Sequence, residues 1–290
     1  MRVLVSGADG FIGRYVCKAL RQAGHFVIGL DMYAGRAGAA DEWILADITQ
    51  TLRPIPNLDA VIHLAAVSHP RDCDQNPSKA FDVNVNGTSN VLRMVLASGA
   101  KKVVFSSSAH VYDIPPKYMP SGEVHPLRLN NVYTTTKILG EQLCDLYWTT
   151  HGLSYIVLRL FNAYGPGQAP GYFVPDMLRK QGDIDLGAGG HTTKDWVWVE
   201  DVARAFVLAV ESPFVGAVNI GTGVETPLYA IAGRIARERG HICKTAPSDT
   251  ASRMCADNGR AYRVLGWKPT KTIEEGLDAV LAAESQPVSA

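Results

Sequence analysis

The 290-residue chain lacks any net charge: Lys+Arg number 28 and Asp+Glu number 28. Nothing in that balance recruits a polyanion, so nucleic acid is not an expected partner. Cysteine is sparse and unpatterned. Cys17, Cys73, Cys144, Cys243 and Cys255 are odd in number, form no C-x-x-C pair and show no metal-type spacing. They read as reduced thiols of a cytoplasmic protein that holds no metal. No run of about 18 apolar residues occurs, and Met1 leads straight into a strand-like run without a basic or apolar leader pattern. Neither a membrane span nor secretion is expected. Repeats, charge blocks and low-complexity tracts are also missing. What remains is a chain long enough to bury a sizeable core, as one large domain or as two lobes.

Short apolar, β-branched runs punctuate the first half: "RVLVSG" (2–7), "FVIGL" (26–30), "DAVIHLAA" (59–66), "KVVFSS" (102–107) and "SYIVLRL" (154–160). Between most of them lie helix-length segments. The first of these carries Ile12, Val16, Ala19, Leu20 and Ala23 at helical spacing. Alternating strand and helix predicts an α/β fold, a doubly wound parallel sheet covered on both faces. After residue 165 the pattern loosens into "YGPGQAPG" (164–171) and "GAGG" (187–190), which predicts a smaller, loop-rich C-terminal lobe. Thr272 and Glu275 have capping-box spacing before a last helix.

Three features carry chemistry. Gly7, Gly10 and Gly13 are spaced G-x-x-G-x-x-G between the first strand and first helix. Glycines there admit a pyrophosphate to the backbone, and the helix N-terminus offers free N–H groups. Asp31 at the end of the second strand would accept hydrogen bonds from a ribose 2′-OH and repel a 2′-phosphate, which favours NAD over NADP. The strand "VVFSSS" brings Ser106, Ser107 and Ser108 to the carboxyl edge of the sheet, where such folds bind ligands. Tyr133 and Lys137 in "NVYTTTK" stand four residues apart, on one face of a helix. Lowering a tyrosine from about 10 to about 7 takes roughly 4 kcal/mol of preferential phenolate stabilisation. An adjacent ammonium and a cationic nicotinamide could supply it in a desolvated cleft. Tyr133 is then a candidate acid/base, Lys137 its electrostatic partner and Ser108 the group that orients the substrate oxygen. His69 in "AAVSHPRD" and His110 beside Val111 are further candidates for acid/base work or for bonding a sugar hydroxyl.

Together "GADGFIG", "DAVIHLAA", "FDVNVNGTSNVL", "VVFSSSAHVYD", "YTTTK", "LRLFNAYGPGQ", "DWVWVEDVARA" and "VNIGTG" resemble the extended short-chain dehydrogenase/reductase family, in its NAD-dependent nucleotide-sugar epimerase/dehydratase branch. The resemblance implies a Rossmann-type domain over 1–165, to which 195–223 returns, and a substrate-binding lobe over 166–290. It implies that Gly7, Gly10, Phe11, Ile12, Gly13, Asp31, Asp47, Ile48, Leu64, Ala65, Ala66, Asn84, Ser106, Tyr133, Lys137 and Phe161 bind NAD. Ser68, His69, Ser108, Asn162, Lys194 and Arg253 would meet a nucleotide-sugar substrate, and a homodimer would form through helices at 84–98 and 134–150.

Such enzymes begin by removing hydride from a sugar carbon while the tyrosine takes the hydroxyl proton. Dehydratases of this branch commonly carry Asp-Glu after the residue matching Ser108; Ala109 and His110 stand here. An epimerase needs only one proton acceptor, so epimerisation, at C4 through a transient keto-sugar, is the leading expectation. A nucleotide-sugar 4-ketoreductase or dehydrogenase with net hydride transfer, and a catalytically silent NAD-binding regulator, are the alternatives. The substrate half departs from the branch in three places. Lys194-Asp195 replaces Arg-Asp, which keeps the charge and loses the bidentate fork. Ala246-Pro247-Ser248-Asp249 replaces Arg-Pro-Gly-Asp, leaving Arg253 as a substitute arginine, and Gly187 replaces an aromatic beside the base.

Overall fold

The apolar runs form strands and the amphipathic segments form helices. The structure, a computed structural model, describes residues 1–33, 40–112, 115–249 and 251–284. In chain order the elements are β1 (Arg2–Ser6), α1 (Phe11–Gln22), β2 (Phe26–Asp31), β3 (Glu42–Leu45), β4 (Ala60–His63), α2 (Pro70–Gln75), α3 (Pro77–Phe81), α4 (Gly87–Ala97), β5 (Lys102–Ser108), α5 (Val132–His151), β6 (Ser154–Leu160) and β7 (Asn162–Tyr164). They continue with α6 (Phe173–Arg179), β8 (Ile184–Asp185), β9 (Thr193–Trp198), α7 (Val199–Glu211), β10 (Gly216–Ile220), β11 (Glu225–Pro227), α8 (Leu228–Glu238), β12 (Cys243–Lys244), α9 (Gly259–Leu265) and α10 (Ile273–Glu284).

Seven strands make the main sheet, in the order β10-β6-β5-β4-β1-β2-β3 and parallel throughout. From β1 the chain builds outward through β2 and β3, then returns to lay β4 on the other side. The order therefore reverses between β1 and β4, and a crevice opens at their carboxyl ends. Side chains alternate between two cores, as strand geometry requires. Val3 and Val5 pack with Val16, Leu20 and Phe206, from the α1 and α7 side. Leu4 packs with Val91, Leu92 and Val95 of α4 on the opposite face. Full burial of each such side chain contributes about 1.5–3 kcal/mol.

A third core gathers Tyr164, Trp196, Trp198, Ile231, Ile235, Leu277 and Val280 around a small sheet, β11-β9-β7. Strands β8 and β12 pair separately. The Thr272–Glu275 box forms reciprocally: Thr272 N–H donates to Glu275 Oε2 at 2.8 Å and Glu275 N–H to Thr272 Oγ1 at 3.2 Å. No described helix is long and apolar enough to cross a membrane.

Candidate active site

A cleft of about 720 Å³ runs along the carboxyl edge of the main sheet, from the turn after β1 to the small sheet. The turn is built by exclusion. Gly7 has φ +73°, and a Cβ on it would lie 2.7 Å from Ala65 N. A Cβ on Gly13 would lie 2.1 Å from the Gly7 carbonyl oxygen. Both positions therefore require glycine. Gly10 caps α1 and has no side chain of its own to bond the N-terminal amides of that helix.

Asp31 lines the cleft one strand away, its carboxylate accepting from Asp9 N–H at 3.0 Å and from Met32 N–H at 2.8 Å. A carboxylate has about four acceptor sites, so capacity for a ribose hydroxyl remains. Phe11, Ile12, Asp47, Ile48, Leu64, Ala65, Ala66, Ser106 and Phe161 line the same cleft.

Helix α5 delivers the Tyr-Lys pair. Asn131 caps it, accepting from Thr134 N–H at 2.9 Å, while Thr134 Oγ1 accepts from Asn131 N–H at 3.1 Å. One turn inside stand Tyr133 and Lys137, both buried and both lining the cleft. Lys137 Nζ donates to the Ser106 carbonyl at 2.8 Å and lies 5.9 Å from the centre of the Tyr133 ring. Burial pulls its ammonium down to about 8, opposed by Cys73 and Glu141. Burial also pushes the Tyr133 phenol above its ordinary value, against the easing effect of the Ser108 hydroxyl. The protein alone thus holds Tyr133 as a neutral phenol, whereas the spacing of the pair suggests a lowered one. Desolvation outweighs the Ser108 hydroxyl, and the Lys137 ammonium is engaged by the Ser106 carbonyl.

Behind the pair lies a buried network. Ser107 Oγ donates to Glu141 Oε1 at 2.5 Å, and Arg159 of β6 grips the same carboxylate through Nε at 3.0 Å and a second nitrogen at 2.6 Å. Because Ser107 and Arg159 are register partners, the network locks α5 to the two strands that carry the cleft floor.

The substrate end mixes expected and unexpected groups. Ser68, His69, Ser108 and Asn162 line it. Three residues expected at the site do not line the cleft. Asn84, in a π-helical turn over Asp82–Asn86, commits its amide to Val67, accepting from its N–H at 2.8 Å and donating to its carbonyl at 3.0 Å. Its Nδ2 also donates to Thr136 Oγ1 of α5 at 3.0 Å, so it shapes the cleft through the loop after β4 and through the helix that carries Tyr133 and Lys137. Lys194, on β9, is half-buried, and desolvation lowers its pKa. Arg253 is mostly exposed, its fork closed on the Glu225 carboxylate. Neighbouring Asp195 is fully buried and accepts from Thr222 N–H and Oγ1, Gly223 N–H and Ala256 N–H, which fixes the wall carrying Met254. Gly187 lies outside the cleft at φ +52°, with nothing within 4 Å of a Cβ built there.

Lys79, Tyr172, Phe173 and Met254 line the cleft without a motif to announce them, and Gln168 and Trp196 line it from within sequence motifs that gave them no role. The glycine-rich segment after β7 brings several of them in. Tyr15 Oη and Arg14 of α1 donate to the carbonyls of Pro166 at 2.9 Å and Gly167 at 3.1 Å. At its other end His69 Nε2 meets the Gly171 carbonyl at 2.9 Å and Ser68 Oγ meets Tyr172 Oη at 3.1 Å. The segment is therefore tied to both banks of the β1/β4 crevice.

A parallel doubly wound sheet with a glycine turn, an acid after β2 and a buried Tyr-Lys pair at its carboxyl edge defines a dinucleotide-dependent enzyme class. The chain belongs to the NAD dependent epimerase/dehydratase family, whose sequence profile matches residues 3–221. It is similar to the UDP-glucose 4-epimerase of Mycolicibacterium smegmatis, 34% identical over 96% of this chain and 96% of that protein. UDP-glucuronic acid decarboxylase 6 of Arabidopsis thaliana is 27% identical, over 96% of this chain and 87% of that protein. The structure of the Thermus thermophilus UDP-glucose 4-epimerase complex with NAD matches with a TM-score of 0.87 at 26% identity, covering 99% of this chain and 100% of that one. NAD is the family's cofactor, and the glycine cradle, the N-terminal amides of α1 and the Asp31 carboxylate fit it.

Proposed function

We propose that the protein is an NAD-dependent epimerase of a nucleotide-activated sugar, acting at C4 through a transient keto-sugar. The relatives supply the substrate class. The observation that favours epimerisation over net reduction is the strap from Gly165 to Tyr172, which crosses the crevice where the dinucleotide would lie and is bonded on both sides. An epimerase must keep one cofactor through both half-reactions; a reductase must exchange it.

In this reading Gly7, Gly10 and the α1 amides would hold the pyrophosphate, Asp31 the adenosine ribose, and Asp47 and Ile48 the adenine. Phe161 and Ser106, which line the cleft beside Tyr133, would border the nicotinamide. NAD, when bound, supplies the acceptor and later the donor of the hydride. Ser108 orients the substrate hydroxyl and Tyr133 Oη takes its proton. To accept that proton Tyr133 must first be a phenolate, a form that the protein alone does not favour and that Lys137 and a cationic ring nearby would stabilise. Tyr133 returns the proton when the turned keto-sugar is reduced on its other face. Asn162 and the loop at Ser68 and His69 hold the substrate. Lys194 contributes field from behind His110, while Arg253 must leave Glu225 before it can act.

We read the chain as two lobes, 1–165 with 195–223 added, and 166–290, of which 285–290 lie outside the described residues. We also propose a homodimer through α4 and α5, where Leu139 and Leu146, seven residues apart, leave an exposed apolar stripe. The five free thiols suit a reducing, cytoplasmic setting.

The test is to denature protein purified without added cofactor and assay the supernatant. We expect close to one NAD per chain. Empty protein that binds NADH or NADPH and releases it readily would move the assignment to net redox chemistry.

A further inference from the structure

Ser108 and Tyr133 address a single oxygen of the substrate. The next polar group along that wall is His110. It lies in the 3-10 turn Ala109–Val111 that ends β5, where its backbone N–H donates to Ser108 Oγ at 3.2 Å. That bond fixes the two residues relative to each other.

The imidazole lines the cleft with Ser108, Trp196 and Met254, and among the described residues neither ring nitrogen has a hydrogen-bond partner. His25, His63, His69 and His125 each engage at least one. Burial, with the Lys194 ammonium beyond it, holds His110 down to about 4. The ring is therefore neutral near pH 7, with one N–H and one bare lone pair. An imidazole half-buried in the cleft wall, with neither nitrogen bonded among the described residues, is open to a ligand oxygen, and a ligand lacking that oxygen forgoes the bond.

We propose that His110 is a specificity-determining residue: its imidazole hydrogen-bonds one of the two hydroxyls that flank the one oxidised. For a hexose reacting at C4 these are the hydroxyls on C3 and on C6, since C5 between them carries only the ring oxygen. The inference rests on the epimerase reading above. It concerns recognition and leaves proton transfer with Tyr133.

Wild type, His110→Ala and His110→Gln are compared on UDP-glucose and on its 2-deoxy, 3-deoxy and 6-deoxy analogues, with NAD content and Tm measured on each protein. One hydrogen bond corresponds to about a tenfold effect. The expected result is an about tenfold loss of kcat/KM in His110→Ala on UDP-glucose and the 2-deoxy sugar. That loss falls below about twofold on either the 3-deoxy or the 6-deoxy sugar, and His110→Gln recovers part of it. A loss uniform across all four sugars, or no loss on UDP-glucose, overturns the proposal. NAD-loaded wild type that leaves UDP-glucose and UDP-galactose unchanged overturns the epimerase reading, and the proposal with it.

Discussion

Lys137 sits where its own charge is disfavoured. Its ammonium is pulled from 10.5 to about 8 by burial, so between those values the unfolded chain binds more protons than the folded one. Stability contributed by this group therefore rises as pH climbs from about 8 to 10.5, and at pH 7 the charged lysine is a net burden. Lys137→Met should raise the Tm of NAD-free protein at pH 7 by about 2–6 °C, partly offset by loss of the Ser106 bond, and should abolish the rise above pH 8. Tyr133→Phe should keep NAD content and Tm near wild type while kcat falls at least about 100-fold, the usual scale for losing a general acid/base. Thermal scans across pH and steady-state rates check both. A fold that tolerates a buried ammonium for chemistry predicts opposite signs in stability and activity.

Among elements, the strap is the part with a mechanical role. It is held at Pro166 and Gly167 by α1 and at Gly171 and Tyr172 by the loop after β4. Each bond is partly exposed and contributes about 1 kcal/mol. Cutting one on each bank, Tyr15→Phe with His69→Ala, should speed NAD dissociation about tenfold or more and yield protein with less than one NAD per chain. Unchanged dissociation would separate cofactor retention from the strap. Sequence reveals elements unevenly. The α10 box was legible because Thr272 and Glu275 are three residues apart, and the cap of α5 is similarly local. The strap was legible only as a glycine-rich loop, since Tyr15 and Pro166 are 151 residues apart. The π-helical turn that sends Asn84 to Val67 leaves no compositional mark, so Asn84 could be expected at the cofactor but not beneath its loop.

At the scale of the molecule, the reversal of strand order between β1 and β4 creates the crevice, and everything expected from the glycine turn, Asp31, Ser108, Tyr133 and Lys137 converges on it. That half was legible because strand ends and helix starts fix where short motifs point. The wall opposite the glycine turn is assembled from β7, β9 and the segment at Met254, and the side chains around it are set by partners distant in sequence. Arg253 looks available in a loop, but Glu225 on β11 takes its fork. Lys194 stands half-buried on β9, outside the residues that line the cleft. The proposed epimerase depends on one hydride leaving and returning within a single closed cleft. UDP-[4-²H]galactose incubated with the purified protein, without added cofactor, tests this directly. The account predicts UDP-glucose with deuterium retained at C4. UDP-glucose that has lost the label, or no conversion unless NAD(P)H is supplied, would contradict it.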